Sequence, residues 1–418
     1  MTETTRNPLA AFQGLTPVQR RTFTAAFLGW TLDALDFFLV TFVVTRISTE
    51  FHRAIPTVAF AITITLMLRP LGALIFGRLA DRFGRRGPLM INILFYSAVE
   101  LATAFSPNFP VFLALRALYG VAMGGEWGVG AALALETLPV QTRGLFSGIL
   151  QEGYAVGYLL AAVVYFLVYP HFGWRGMFIV GVLPALLVFY IRSRVPESPV
   201  WLERQAAPLG KTVDLWSSFL RQPLLYLYAI VLMAAFNFMS HGSQDLYPTF
   251  LQRQHGFSVG AVSALTIIAN IGAIVGGMFF GALSQQVGRR RAIVLAAVLG
   301  IFTIPLWVFS PTVPMLAAGG FLIQVFVQGA WGVIPIHLNE LSPGDVRGTF
   351  PGFTYQLGNL ISAGAAQIEA AFAQNFKLPS GGANYAQALA IIMVIVFVSV
   401  AVLTAIGYER RAVDFTRA

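Results

Sequence analysis

The chain has 418 residues, of which 57% are hydrophobic and only 11% charged, against about 45–50% and 25% in an ordinary soluble domain. Its mean hydropathy is +0.72, its formal charge is +9, and it has no cysteine. These values exclude a soluble enzyme of two or three domains, and without thiolates they exclude disulfides, iron–sulfur clusters and cysteine zinc sites.

No Asp, Glu, Lys or Arg occurs over the 48 residues from Ala292 to Asn339, or over the 31 from Leu378 to Tyr408. A membrane helix needs about 20 mostly apolar residues, so the first run holds two spans and the second holds one. Along the chain the pattern predicts an all-α polytopic membrane protein with twelve transmembrane helices, near 22–45, 56–77, 88–106, 110–135, 144–168, 174–192, 223–250, 257–281, 292–309, 313–338, 350–370 and 384–408. The leading MTETTRNPLAAFQGLTPVQRR has no apolar stretch, so the first span is expected to be retained rather than cleaved as a signal peptide. With the N-terminus inside, 20 of the 27 Lys and Arg fall in cytoplasmic segments and five outside, while Arg69 and Arg116 lie within spans. This bias predicts a cell (inner) membrane protein with both termini cytoplasmic, and it accounts for the basic charge without nucleic acid.

The longest polar connection, 193–222, divides an N-terminal half, 1–192, from a C-terminal half, 223–418, each with six spans. The halves repeat. GRLADRFGRR (77–86) matches GALSQQVGRR (281–290), ETLPVQTRG (136–144) matches ELSPGDVRG (340–348), and Trp127–Gly128 matches Trp331–Gly332, all at an offset of 204. Parallel six-helix repeats of this kind build one large class of transporters.

The loop Gly77-Arg-Leu-Ala-Asp81-Arg82-Phe-Gly84-Arg85-Arg86 resembles the signature between helices two and three of the major facilitator superfamily. The resemblance implies two pseudosymmetric six-helix bundles. It also implies that Asp81 meets a helix N-terminus in the other half, where the dipole favours an anion, and so latches the cytoplasmic side. A loop that only fixes topology accounts for the arginines but not for Asp81 or the glycines. The second copy has Gln285 in place of Asp81, which weakens its latch. Arg116-xxx-Gly120-xxx-Gly124 resembles the superfamily's helix-four signature. Pro196-Glu197-Ser198-Pro199-Val200-Trp201-Leu202 resembles the segment after helix six of sugar-porter relatives, with Val200 where many carry Arg, which argues against an ionic latch there.

In the seventh span, Asn237, His241 and Asp245 are spaced i, i+4, i+8 with Ser240 and Gln244 alongside, so they form one polar stripe that is expected to face a cavity. The segment Asn237-Phe-Met-Ser240-His241-Gly-Ser243-Gln244-Asp245-Leu-Tyr-Pro-Thr249 resembles the signature of Jen-type monocarboxylate:proton symporters in the sialate:proton symporter family. Tyr355-Gln356-Leu-Gly358-Asn359 in the eleventh span resembles the same family. Under the 204 offset Asn237 and Ser240 correspond to Asp33 and Asp36 in the first span.

An ionised Asp at a span centre costs about 2.5–3.5 kcal/mol on insertion scales. Asp33 and Asp36 therefore read either as proton carriers or as structural partners of Arg69 or Arg116. Arg69, mid-span in LMLRPLG, is the first candidate for gripping a substrate carboxylate through its bidentate fork, with an ion pair to the first span as the alternative. Glu126 is a second candidate proton site, Glu152 is expected to pair with Arg143 or Arg116, and Arg116 reads as a scaffold residue. Glu100 and Glu369 fall near external ends, where snorkelling to water suffices. His241 titrates in the physiological range, and its place in the stripe points to binding or proton coupling; His52, His171 and His255 read as loop residues and His337 as a residue near a cytoplasmic end. Asn237, Gln244, Tyr355, Gln356 and Asn359 complete the candidate binding set, with helix packing as the alternative for Gln356 and Asn359.

There is no GxxxxGK[ST], no nucleophile elbow, no HExxH and no convincing zinc spacing of histidines, so no enzyme, metal or cofactor is expected. The resemblance implies a monomer that takes up a small monocarboxylate, lactate or pyruvate first, together with a proton. The readings left open are a larger acid such as sialate or an aromatic acid, a drug:proton antiporter, and a non-transporting membrane sensor.

Overall fold

The computed structural model describes residues 12–139, 142–198, 201–202, 215–343, 346, 349–379 and 381–410, with backbone alone at Asp81, Gly144, Leu215 and Trp216. The helices are α1 (Pro17–Glu50), α2 (Ile55–Phe83), α3 (Arg86–Ala104), α4 (Phe109–Thr137), α5 (Arg143–Gln151), α6 (Gly153–Val180) and α7 (Ala185–Arg194). They continue with α8 (Leu215–Arg221), α9 (Pro223–Gln244), α10 (Tyr247–Arg253), α11 (Val259–Val287) and α12 (Arg289–Val308). The last five are α13 (Val313–Trp331), α14 (Ile334–Leu341), α15 (Phe350–Ser362), α16 (Ala365–Asn375) and α17 (Tyr385–Ile406).

Start signals are written locally. Thr16 and Gln19 form a capping box before α1, and Asn108, Ser258 and Asn384 accept N–H groups at the starts of α4, α11 and α17. Each satisfies an amide that no turn of helix can reach.

Nine stretches among the described residues are long and apolar enough to cross a membrane, and one of them, 145–194, holds the fifth and sixth predicted spans. The charged α4 and the broken pair α15–α16 complete the twelve. Several spans are interrupted where the sequence pattern predicts continuity. The seventh breaks between α9 and α10, the tenth between α13 and α14, and the eleventh between α15 and α16. The fifth breaks at Glu152 and the sixth between α6 and α7, while Gly173 (φ +64°) within α6 marks the predicted turn between those two spans. The outer surface is rich in exposed Phe, Leu and Ile, such as Phe172, Phe189, Phe302 and Ile406, as lipid contact requires.

Packing repeats with the sequence. In the first half α2 lies on α4 and α1 on α6; in the second α11 lies on α13 and α9 on α15. Gly72 is pressed against the Val121 carbonyl, and Gly276, 204 residues later, against the Val325 carbonyl. A side chain at either position would collide with backbone, so the small residue is what lets the helices touch. The halves meet through α11 against α5 and α6, and through α2 against α15 and α16. Replacing Gly276 with Val is expected to cost about 3 kcal/mol through overpacking, read as a lower melting temperature in detergent. Gly77→Ala, where a Cβ meets nothing within 4 Å, should leave the melting temperature unchanged.

Candidate functional site

The stripe on α9 faces the middle of the molecule. Asn237, Ser240, His241, Gln244 and Asp245 are all buried. His241 Nδ1 lies 3.2 Å from one Asp245 oxygen and 3.1 Å from the other. Its Nε2 lies 3.4 Å from Asn359 Oδ1. Asn359 Nδ2 donates to Gln356 Oε1 at 2.9 Å, and Gln356 Nε2 donates to the Gly124 carbonyl at 3.4 Å. A single chain of polar contacts therefore runs Asp245–His241–Asn359–Gln356 from α9 through α15 to α4, crossing between the two halves. Asn237 Nδ2 donates to the Met233 carbonyl (2.8 Å) and lies 3.4 Å from that of Tyr355. Phe37 of α1 closes edge-on over His241 at 5.8 Å.

Arg69 approaches α15 from α2. Its guanidinium carbon lies 5.4 Å from the centre of the Tyr355 ring. That ring packs between Trp127 (4.7 Å) and Trp331 (5.6 Å), the two tryptophans related by the repeat. Arg69 is fully buried, and none of its three side-chain nitrogens has a hydrogen-bond partner among the described residues. A buried guanidinium without a carboxylate is costly. The ion pair between Arg69 and the first span is not formed among the described residues: Arg69 stacks on Tyr355 instead, and its field reaches Asp33 without contact.

The acids of the first half form a second group. The Tyr119 hydroxyl donates to the Asp33 carbonyl at 2.8 Å and lies 3.4 Å from its Oδ1. Asp36 and Glu100 both abut Gly181, and neither Asp36 oxygen has a hydrogen-bond partner among the described residues. Glu100 does not snorkel. It is fully buried and accepts from Arg116 Nη1 at 2.9 Å, while Arg116 also covers the Tyr119 ring at 4.2 Å. The pair forms because α3 and α4 are antiparallel neighbours and both residues sit eight positions from the turn at Asn108. Arg116 is thereby withdrawn from Asp33 and Asp36.

Two further glutamates lie where the sequence pattern does not put them. Glu369 is buried beside Gly242 of α9 rather than reaching water, with no partner for either oxygen among the described residues. Glu152 does not pair with Arg143 or Arg116: its carboxyl group lies across the interface against Gly277 of α11. Glu126 is pressed against Gly29 of α1. Gln244 leaves the His241 chain: it accepts from Ser240 (3.1 Å) and donates to Gln324 (2.9 Å), which in turn donates to Ser243. Gln324 and Gln328 of α13 are buried polar residues that the sequence pattern passes over, since uncharged amides do not interrupt an apolar run.

The sequence matches the Major Facilitator Superfamily over residues 26–366. The chain belongs to that superfamily. It is 32% identical to the carboxylic acid transporter protein homolog of Saccharomyces cerevisiae, over 97% of this chain and 70% of the relative. It is 28% identical to the sialic acid transporter NanX of Escherichia coli, over 84% of this chain and 86% of the relative. It is 30% identical to the niacin transporter NiaP of Acinetobacter baylyi, over 80% of this chain and 82% of the relative.

The superfamily loop signature sits at the arginine-rich end. The side chain of Asp81 lies outside the described residues, as do Pro199, Val200, 203–214 of the linker, and 140–141, 344–345 and 347–348 of the second repeated motif. What the loop shows is a different latch. Gly84 (φ +91°) turns the chain into α3, and Glu197 accepts the Arg85 N–H at 2.7 Å and the Arg86 N–H at 3.2 Å. Glu197 thus holds this loop through backbone amides rather than through an ion pair. The carboxylate occupies the positive end of a helix. Arg85 lies 3.7 Å from Glu136 and donates to the Ala80 carbonyl, and Arg86 donates to the Arg192 carbonyl. Arg82 is exposed and lies over the Phe83 ring. Gly77 faces an open cleft rather than a tight turn.

The second copy repeats this. Gly288 (φ +106°) precedes α12, Glu409 accepts the Arg289 N–H at 2.8 Å, and Arg289 binds Glu340 at 3.0 Å. Arg85/Arg289 and Glu136/Glu340 are each 204 apart, so the charge pairing was present in the repeat. Gln285 accepts from Arg289 of its own loop at 3.3 Å.

Proposed function

We propose that this protein is a proton-coupled symporter that imports small monocarboxylates, lactate and pyruvate first, by alternating access of its two halves, 1–192 and 223–418. The observation that carries the reading is the Asp245–His241–Asn359–Gln356 chain on α9 and α15, together with a buried Arg69 that lies over Tyr355 of α15 and has no hydrogen-bond partner among the described residues. The organic acids named for the relatives support the substrate class.

The arginine-rich end is cytoplasmic, with both termini there. From the opposite side a proton enters on Asp245 through His241, or on Asp33, Asp36 or Glu126. The anion then docks on Arg69 through a charge-assisted fork, with Asn237, Tyr355, Gln356 and Asn359 around it and Gln244 holding the α9–α13 contact behind them. A proton and a monoanion together are neutral, which lowers the cost of carrying the loaded site past the low-dielectric middle. Each unit of pH gradient supplies about 1.4 kcal/mol per proton. The Glu197 and Glu409 contacts each brace the loop of their own half, so that each half moves as a unit.

Purified protein in proteoliposomes is expected to accumulate radiolabelled lactate when the outside is acidic. Uptake indifferent to the gradient would remove proton coupling, and no uptake of any short-chain acid would remove the substrate class. A larger acid is the second reading, motivated by NanX. Competition of lactate uptake by sialate and nicotinate ranks the two.

A further inference from the structure

Glu152 lies at the joint between α5 and α6, the two helices of the first half that pack on α11 of the second. It is 2% exposed, and its carboxyl group is pressed against Gly277, with no hydrogen-bond partner for either oxygen among the described residues. Gly277 is also where Gly148 of α5 and Gly332, just past α13, make their closest approach. One turn before Glu152 the Ser147 hydroxyl accepts the Ile336 N–H of α14 at 3.1 Å. Glu152 therefore sits at the centre of the closure between the halves on the arginine-rich side.

The repeat supplies a counterpart for comparison. At the 204 offset Glu152 corresponds to Gln356, Gly148 to Gly352, Ala73 to Gly277 and Gly128 to Gly332. At the counterpart interface Gln356 donates across to the Gly124 carbonyl. There Ala73, Gly124, Gly128 and Gly352 line a cleft that is partly open to solvent. One interface thus carries a neutral donor and stands partly open. The other carries an acid and is shut. A protonated carboxyl has one O–H donor, as the amide has N–H donors, whereas a carboxylate only accepts. A negative charge sealed between backbones with no donor costs several kcal/mol.

We infer that Glu152 is a separate proton-binding site, protonated while the α5–α11 interface is closed and releasing its proton as that interface opens. No other ionisable side chain competes for this role from the facing helices α11 and α13, which carry none after Val259 and Val313 respectively. On α14, Glu340 is bound to Arg289 and His337 lies among Arg289, Arg290 and Glu409. On α5, Arg143 donates to the Leu138 carbonyl. On α6, Tyr154 stacks on Trp30. On α1, Asp33 is held by Tyr119 and Asp36 faces Gly181 and Glu100. The inference rests on the alternating-access reading, but its test needs no cargo. A wrong substrate class would leave it intact, and a wrong assignment of Glu152 would leave acid uptake intact.

The natural chain has no cysteine, so Ser147→Cys gives a single reporter, fully buried under Ile336 when the interface is shut. Its alkylation by N-ethylmaleimide is followed on purified protein in lipid nanodiscs and divided by the rate at exposed Ser193→Cys, which removes the pH dependence of the thiol itself. The normalised rate is expected to rise about tenfold from acidic to alkaline pH, as the group ionises. Adding Glu152→Gln should hold the rate at its low-pH value throughout, while adding His337→Gln should leave the rise in place. A flat profile in Ser147→Cys alone, a rise that survives Glu152→Gln, or one abolished only by His337→Gln would each overturn the inference.

Discussion

Arg69→Ala is expected to reduce kcat/KM for acid uptake by at least about a hundredfold, the worth of a lost charge-assisted fork at a buried site. The guanidinium stacks on Tyr355 and meets no carboxylate among the described residues, so its removal takes away an attraction reserved for something else. Arg69→Lys keeps the charge but not the planar pair of donors, and should recover only a small part of the loss. Initial uptake rates in proteoliposomes check both, with elution of a monodisperse protein as the control for folding. Near-normal kinetics in Arg69→Ala would place the anion elsewhere.

Asp245→Asn should separate coupling from binding. The amide still fills the space beside His241, but it cannot take up and release a proton at ordinary pH. Accumulation of acid against a pH gradient is expected to fall about tenfold or more, while exchange of labelled for unlabelled acid stays within about twofold, because losing a charged hydrogen-bond partner costs about 1.5–3 kcal/mol only where the charge is used. His241→Ala breaks the link to Asn359 as well and should depress both measurements. If Asp245→Asn accumulates acid like the unmodified protein, the proton travels on Asp33, Asp36 or Glu126.

Much of the fold was legible because its signals are local. Apolar run length, capping residues such as Thr16 and Asn108, and the 204-residue repeat all lie in the linear text. The inward stripe at Asn237, His241 and Asp245 was legible for the same reason, since i, i+4, i+8 defines a face whatever surrounds it. Partners across helices were not. Glu100 looks terminal along α3, yet Arg116 lies opposite it, and only the equal distances from the Asn108 turn signal the pair. Glu197 and Glu409 meet helix starts more than a hundred residues away. Gln324 escaped because an amide hardly changes hydropathy, although it anchors Gln244 and Ser243.

The breaks in the seventh and eleventh spans have a mechanical consequence. Beyond Asp245 and beyond Gly364 the chain continues as short rods, α10 of 7 residues and α16 of 11, each starting its own hydrogen-bond ladder at Leu246 and Gly364. A rod with its own ladder can swing about its joint without unzipping the long helix behind it. The arginine-rich end is built the same way, with α5 of 9 residues and α14 of 8, so each end of the molecule carries short rods that can shift apart from the long helices.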